Sequence, residues 1–247
     1  MHQRNLAVGR RAQRTDLARQ IAAATVERER AQHQQWADNA QRIARLWAES
    51  VPMMPGDPVA LYLKRRGFGG VWPLPDVLRL HRALPYWDGA DKLGTFPAMV
   101  APIIAPDGRT VALHRTYLTT DGRKAGVPSP KKVTRAAGSL SGAGIPWHKP
   151  ARGCIGIAEG IETALAAWCA STVPTVAAYS AGNLAAWRWP AGVQRVVIFA
   201  DADKAGRDAA NALRVRALAA RLRCEVLTPS TEGADWCDVV AMERAAA

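Results

Sequence analysis

Residues 195–206 read RVVIFADADKAG and contain the pattern that decides the fold of the C-terminal part of the chain. The apolar run Val196–Ala200 is followed at once by Asp201 and Asp203, and Lys204 then opens a stretch with helical composition. Short, wholly apolar runs of this kind are typical of strands that are buried on both faces. The stretch therefore predicts a buried strand, a turn carrying two carboxylates, and a helix.

The same alternation of short apolar runs and helical segments extends over residues 151–247. Strands that alternate with helices predict a parallel α/β sheet with helices on both faces. The predicted strands are Cys154–Ala158, Thr175–Tyr179, Arg195–Ala200 and Cys224–Leu227, and the predicted helices are Ile161–Ala170, Asn183–Trp187 and Ala205–Arg223.

Acidic residues follow the ends of these strands. In parallel sheets, ligands bind at the carboxyl ends of the strands. Several carboxylates brought together repel one another, and a hard divalent cation relieves that repulsion. The pattern predicts a Mg²⁺ or Mn²⁺ site; the alternative is that acids such as Glu159 and Asp203 cap the helices that follow them. The acids concerned are Glu159, Asp201, Asp203, Asp235 and Asp238.

Three stretches resemble a known domain family: residues 157–164 (IAEGIETA), 199–206 (FADADKAG) and 235–238 (DWCD). They are similar to the Toprim domain of bacterial, DnaG-type primases, topoisomerases and related nucleases. The similarity is strongest to primase-like Toprim proteins of phages, plasmids and integrated elements. Residues 51–150 resemble, more loosely, the segment that precedes this domain in those proteins.

The resemblance implies roles for the acidic residues. Glu159 takes the family's acid/base position in nucleotidyl transfer, and Asp201 and Asp203 take the positions of the Mg²⁺ ligands. Asp235 or Asp238 supplies a further ligand. The chain departs from the family pattern in two ways, because it contains neither a Cys/His zinc ribbon nor a GxxxxGK[ST] motif. We expect partner proteins, or further parts of a longer reading frame, to supply those functions.

The N-terminal part is predicted to contain two further units. Residues 10–50 lack Gly and Pro and are rich in Ala, Arg, Gln and Glu, which predicts a mostly exposed basic helical arm over residues 1–50. In residues 51–150 short apolar runs alternate with turn signals, and the turn at residues 106–109 predicts a hairpin. We expect a small antiparallel α+β domain there, followed by the Toprim catalytic domain over residues 151–247.

Positive charge is concentrated before the predicted catalytic domain. The first 150 residues carry 23 basic and 11 acidic side chains, whereas residues 151–247 carry ten of each. This distribution predicts a polyanionic partner, with an Arg-rich composition and ordinary solvated loops as the alternative. The residues predicted to bind nucleic acid or nucleotide are Arg115, Lys131, Lys132, Arg135 and Lys204.

Composition excludes several classes of protein. The chain has 247 residues, of which 49% are hydrophobic, and no apolar run approaches the roughly 18 residues that a membrane helix needs. The four cysteines are scattered without a CxxC pair, which argues against a disulfide framework or a zinc ribbon. We therefore expect a cytoplasmic protein with no membrane partner.

The leading functional hypothesis is a primase-like nucleotidyltransferase that makes short primers on single-stranded DNA from nucleoside triphosphates. A replicative helicase and a separate zinc-ribbon protein are the expected protein partners. One alternative is a metal-dependent Toprim nuclease. The other is a non-catalytic DNA-binding module of a mobile-element replication complex.

Overall fold

The computed structural model describes residues 2–69 and 77–240, with side chains from residue 19 onward. The described residues form two five-stranded sheets, five α-helices, one π-helical segment and a helical turn at residues 236–240. Among the described residues, no helix is long and apolar enough to span a membrane.

The N-terminal helix α1 spans His2–Glu49, and among residues 19–49, whose side chains the structure describes, only those near the C-terminal end pack against the rest of the molecule. Residues 19–35 are exposed throughout. Ile43 is buried, and Leu46 and Trp47 pack beside it against apolar side chains of the first sheet. The helical arm predicted from the sequence is thus present, and its anchor lies where the apolar residues are concentrated.

A short helix, α2 (Pro58–Leu63), connects α1 with the first sheet and begins as its sequence predicts. Asp57 caps it by accepting a hydrogen bond of 2.8 Å from the backbone N–H of Ala60, and Pro58 occupies the first helical turn. The helix continues into a single π-helical segment, Lys64–Phe68. Gly67 lies there at φ 93°, a left-handed conformation that favours glycine.

The first sheet is antiparallel, with strands in the order β1-β2-β3-β4-β5. The predicted hairpin at residues 106–109 joins β3 to β4 and is confirmed. The apolar run Val77–Leu80 predicts a strand, but the strand found there begins at Arg79 and is longer. The sequence does not predict β1 and β5, because runs of two or three residues have no periodicity to detect. The strands are β1 (Val51–Pro52), β2 (Arg79–Asp88), β3 (Asp91–Ile104), β4 (Thr110–Tyr117) and β5 (Lys131–Val133).

The second sheet has the order β10-β9-β7-β8-β6 and is parallel except for β6, an antiparallel edge strand. The predicted parallel α/β sheet is confirmed; its two-residue edge strand β6 was not predicted. The elements are β6 (Ile145–Pro146), β7 (Cys154–Ala158), α3 (Ile161–Ser171), β8 (Thr175–Ala177), α4 (Ala181–Ala186), β9 (Arg195–Phe199), α5 (Lys204–Ala219) and β10 (Arg223–Leu227).

The second sheet is covered on both faces, because successive residues of a buried strand point to opposite sides. In β9, Val196 and Ile198 pack with Leu213 of α5, whereas Val197 and Phe199 pack in the cluster that contains α3. That second cluster also contains Tyr62 and Leu63 of α2 and residues of β3. The two sheets therefore share one hydrophobic core across α2 and α3. The domain boundaries at residues 50 and 150 stay predictions.

Candidate functional site

Three acidic residues meet at the carboxyl edge of the second sheet. Strands β7 and β9 are parallel neighbours with Ala158 opposite Phe199, so the residues that follow them emerge side by side. The loop after β10 is attached to the same edge, because the Ala202 N–H donates to the Ala234 carbonyl at 3.0 Å. Glu159, Asp201 and Asp235 consequently line one pocket of about 200 Å³, which we call the carboxylate pocket.

The opposite wall of the carboxylate pocket is basic and comes from the preceding part of the chain. Arg66, Lys124 and Lys131 line it together with these three acids and a fourth, Glu162 of α3. The Arg66 guanidinium lies 3.4 Å from an Asp235 carboxylate oxygen. Burial and the neighbouring Lys131 lower the pKa of Lys124. The pocket therefore places a cationic wall against an anionic one.

Asp201 is the acid whose charge is least compensated. Burial and the carboxylates of Glu159, Asp235 and Asp203 raise its pKa from 3.8 to about 7. Its Oδ1 atom is buried and has no hydrogen-bond partner. Burial and Asp203 also raise the pKa of Glu159. Crowded carboxylate oxygens with an unpartnered buried atom fit a hard divalent cation, which prefers oxygen ligands and would neutralise them.

Glu162 is a site residue that the sequence analysis did not single out. It is almost completely buried, accepts a hydrogen bond from the Tyr62 hydroxyl, and lies 2.9 Å from the Lys131 ammonium. Burial opposes its ionisation, but Lys131 and the Tyr62 hydroxyl outweigh this effect and lower its pKa to about 2. The available signal was a glutamate in the first turn of an otherwise apolar helix, where a charged side chain needs a partner.

Three of the predicted metal ligands, Asp203, Asp235 and Asp238, take part in helix caps. Asp203 is exposed and accepts a 2.7 Å hydrogen bond from the backbone N–H of Gly206, at the start of α5. Asp238 is exposed and accepts from the Asp235 N–H at 3.0 Å, while Asp235 accepts from the Asp238 N–H at 3.0 Å. This reciprocal pair is a capping box for the helical turn at residues 236–240.

Neither Asp203 nor Asp238 lines the carboxylate pocket. Within residues 2–69 and 77–240, no group of three or more His, Cys, Asp or Glu side chains is arranged to hold a metal ion. The metal roles of Asp201, Asp203, Asp235 and Asp238 therefore stay predictions, as does the acid/base role of Glu159.

The structure separates the basic residues that were predicted to bind phosphate. Of these predicted residues, only Lys131 lines the carboxylate pocket. Its neighbour Lys132 points to the other face of the sheet, where its ammonium donates to the Trp87 carbonyl at 2.5 Å and lies 4.1 Å from the Tyr86 ring centroid. Adjacent strand residues face opposite ways, so the pair could not act together.

The remaining predicted basic residues lie elsewhere. Arg115 and Arg135 line a second pocket, beside α1. Lys204 is exposed at the start of α5 and pairs with Asp208 at 2.5 Å. Their predicted contacts with nucleic acid or nucleotide stay predictions.

Comparison with protein families divides the chain into two matched parts. Residues 154–246 match the Toprim domain, and residues 37–145 match a domain of unknown function, DUF7146. No curated protein sequence matches the chain.

Comparison with solved structures finds primase catalytic domains. A DnaG primase catalytic domain bound to single-stranded DNA is 15% identical, with a TM-score of 0.52, over 88% of this chain and 79% of that one. A DNA primase domain from Pseudomonas aeruginosa is 20% identical, with a TM-score of 0.43, over 65% of this chain and 52% of that one. The primase fragment of the bacteriophage T7 primase-helicase protein is 18% identical, with a TM-score of 0.43, over 74% of this chain and 66% of that one. The chain thus spans about half the length of the P. aeruginosa domain.

Proposed function

This chain carries a Toprim domain in the fold of a DnaG-type primase catalytic domain, and we propose that it is a primase-like nucleotidyltransferase. The proposed reaction extends a primer on single-stranded DNA by Mg²⁺-dependent phosphoryl transfer from nucleoside triphosphates. The proposed setting is the replication of a mobile element in the cytoplasm.

The observation that carries this proposal is the composition of the carboxylate pocket. Its acids come from the Toprim domain, and its cations, Arg66, Lys124 and Lys131, come from the part of the chain before it. Transfer between two phosphate-bearing substrates needs both kinds of charge, because cations bind the phosphate oxygens and carboxylates hold a metal ion or accept a proton. A Toprim domain alone would provide only the anionic wall.

The side chains of the pocket suit distinct tasks in this reaction. Asp201 and Asp235, with Asp203 beside them, would hold Mg²⁺ or Mn²⁺, which when bound would neutralise charge on the transferring phosphoryl group. Glu159, whose pKa is raised by burial and by Asp203, would accept the proton of the attacking 3′-hydroxyl. Lys131 is held in place by Glu162 and would bind phosphate oxygens of the incoming triphosphate together with Arg66 and Lys124.

The solved structures suggest the partners. One similar chain is described as bound to single-stranded DNA, and another belongs to a primase-helicase protein. We propose that this chain likewise uses a single-stranded DNA template and works with a helicase. A zinc ribbon, on a separate protein or on a further part of a longer reading frame, would complete template engagement.

The test is incorporation of labelled nucleoside triphosphates on circular single-stranded DNA with Mg²⁺ or Mn²⁺. We expect primer products from the wild type, none from Asp201→Asn, and a rate about 10²–10⁴-fold lower for Glu159→Gln. Glu225→Gln is the control, because Glu225 is an exposed carboxylate paired with Arg195 and outside the pocket.

The same reactions distinguish the other functions. A shortened linear template that depends on Asp201 would identify a nuclease. Neither primers nor cleavage would identify a non-catalytic DNA-binding module. Either result would contradict the proposed nucleotidyl transfer.

A further inference from the structure

We propose that a second pocket, on the face of the first sheet that packs against α1, is a phosphate-binding site separate from the carboxylate pocket. Three arginines line it: Arg42 from α1, Arg115 from β4, and Arg135 from the segment after β5. We call it the arginine pocket. Its volume is about 230 Å³.

The walls of the arginine pocket are held together by contacts that do not involve a ligand. The Asn39 side-chain amide of α1 donates to the Ala136 carbonyl at 2.8 Å, which ties the helix to the segment carrying Arg135. The Thr134 hydroxyl oxygen accepts from the backbone N–H of Leu113 at 2.9 Å, which ties the same segment to β4. The segments that carry the three arginines are therefore held together before any ligand binds.

The charge of the arginine pocket has no counter-ion in the part of the chain that the structure describes. Among the described residues, no carboxylate forms a salt bridge with Arg42, Arg115 or Arg135. Arg115 is fixed by hydrogen bonds from its guanidinium to the Tyr117 hydroxyl at 3.2 Å and the Val133 carbonyl at 3.1 Å. Its Nε–H is buried and has no acceptor. A buried, unpartnered donor beside two further cations indicates an anion that completes the site.

The pairing of β4 with β5 shows that the two pockets lie on opposite faces of the sheet. Arg115 is opposite Lys132, and Thr116 is opposite Lys131. Directly opposed residues share a face and adjacent residues do not. Since Lys131 lines the carboxylate pocket, Arg115 faces away from it. A phosphate in the arginine pocket is therefore not the group that reacts.

The chemistry of the arginine pocket selects phosphate. Planar guanidinium forks match the geometry of phosphate oxygens and bind them in pairs. The volume is below the roughly 300–1,000 Å³ of typical small-molecule pockets, so it suits a phosphate group and not an enclosed nucleoside. A phosphodiester of a nucleic acid backbone and a free polyphosphate both present this group.

The first experiment measures the binding of a fluorescein-labelled oligothymidylate by anisotropy, with EDTA and without triphosphates. Arg42→Gln and Arg135→Gln are each expected to weaken binding about tenfold, the equivalent of one charge-assisted hydrogen bond. Each is expected to reduce the salt-dependence slope by about 0.7. Arg45→Gln is the control, because Arg45 is an exposed arginine on the same helix that does not line the pocket. We expect it to change affinity less than twofold.

A second arm identifies the source of the phosphate. Calorimetric titration with inorganic tripolyphosphate measures binding without a nucleic acid. If Arg42→Gln and Arg135→Gln lose only tripolyphosphate binding, the pocket is assigned to free polyphosphate. If they lose oligonucleotide binding, the pocket is assigned to the backbone of a nucleic acid. Equal affinities of Arg42→Gln, Arg135→Gln and the control Arg45→Gln, for both the oligonucleotide and tripolyphosphate, would overturn the proposal. The result does not depend on the proposed reaction, because Asp201→Asn is expected to bind the oligonucleotide as the wild type does.

Discussion

At the scale of single residues, Glu162 links the two halves of the molecule. Its carboxylate lies on α3 of the Toprim domain, and both of its partners, Tyr62 and Lys131, belong to the preceding part of the chain. The carboxylate is almost completely buried, whereas the Lys131 side chain is 39% exposed. The pair therefore holds a partly exposed cation in the lining of the carboxylate pocket by means of a buried anion.

We expect Glu162→Gln to lower the free energy of unfolding by about 2 kcal/mol. The change leaves Lys131 without its counter-ion and weakens the acceptor of the Tyr62 hydroxyl, and the partial exposure of Lys131 keeps the loss below the 3–5 kcal/mol of a fully buried pair. Urea unfolding at pH 7 measures this difference in unfolding free energy between the variant and the wild type. Glu232→Gln, which breaks the exposed pair with Arg207, is the control and is expected to cost less than 1 kcal/mol.

The contribution of Glu162 to stability has a defined pH dependence. Its pKa in the folded protein is about 2, below the ordinary value of 4.5, so its contribution is fully present above pH 4.5 and is lost as the pH falls toward 2. We expect the difference in unfolding free energy between the wild type and Glu162→Gln to shrink between pH 5 and pH 3. A difference that stayed constant over this range would show that the carboxylate is not selectively stabilised in the folded state.

At this scale the sequence indicates the acids and Lys131, but not Arg66 and Lys124, the other two cations that line the carboxylate pocket. Asp201 and Glu159 follow recognisable strands, so their proximity could be predicted. Tyr62 meets Glu162 across 100 residues of chain, and Arg66 meets Asp235 across 169. No local pattern records such contacts, because they arise only when α2 packs against α3.

At the scale of elements, the strands and helices of the second sheet, apart from the two-residue strand β6, could be predicted within a few residues. Each has an apolar run or helical composition long enough to recognise. Strand β5 could not be predicted, because three residues carry no usable alternation. Without this strand, the sequence does not show that Lys131 and Lys132 face opposite sides of a sheet.

The start of α5 depends on a glycine, which yields a second stability prediction. A Cβ on Gly206 would lie 2.7 Å from the backbone oxygen of Asp201, and backbone cannot move aside as a flexible side chain can. We expect Gly206→Ala to cost about 2 kcal/mol in unfolding free energy and to displace Asp201, reducing activity. Gly182→Ala is the control, because Gly182 also lies in the first turn of a helix and a Cβ there has no neighbour within 4 Å. Equal effects of the two changes would contradict this account.

At the scale of the whole molecule, one hydrophobic cluster contains residues from both sheets. Tyr62 and Leu63 of α2, Met99 of β3, Ala164 of α3 and Phe199 of β9 all belong to it. Sequence analysis predicted two separate units in residues 51–247 and gave no sign of their common core, because the apolar residues of each unit were fully explained by its own strands and helices.

The shared core predicts that the two sheets unfold together. We expect urea transitions followed by far-UV circular dichroism and by tryptophan fluorescence to coincide at one midpoint. Leu63→Ala, a substitution within the shared cluster, is expected to shift both midpoints equally. Two separated transitions, with only one shifted by the substitution, would show that the halves are independently stable.

The exposed stretch of α1 offers a natural place to shorten the protein. Residues 19–35 form about 25 Å of helix that is exposed along its length, and isolated helices of this size are marginally stable in water. Brief digestion with trypsin is expected to cut at Arg28 or Arg30 before any site in the sheets, as mass spectrometry of a time course would show. The trimmed protein would keep Asn39, Arg42 and Ile43, and with them the complete arginine pocket and the attachment of the helix to the first sheet.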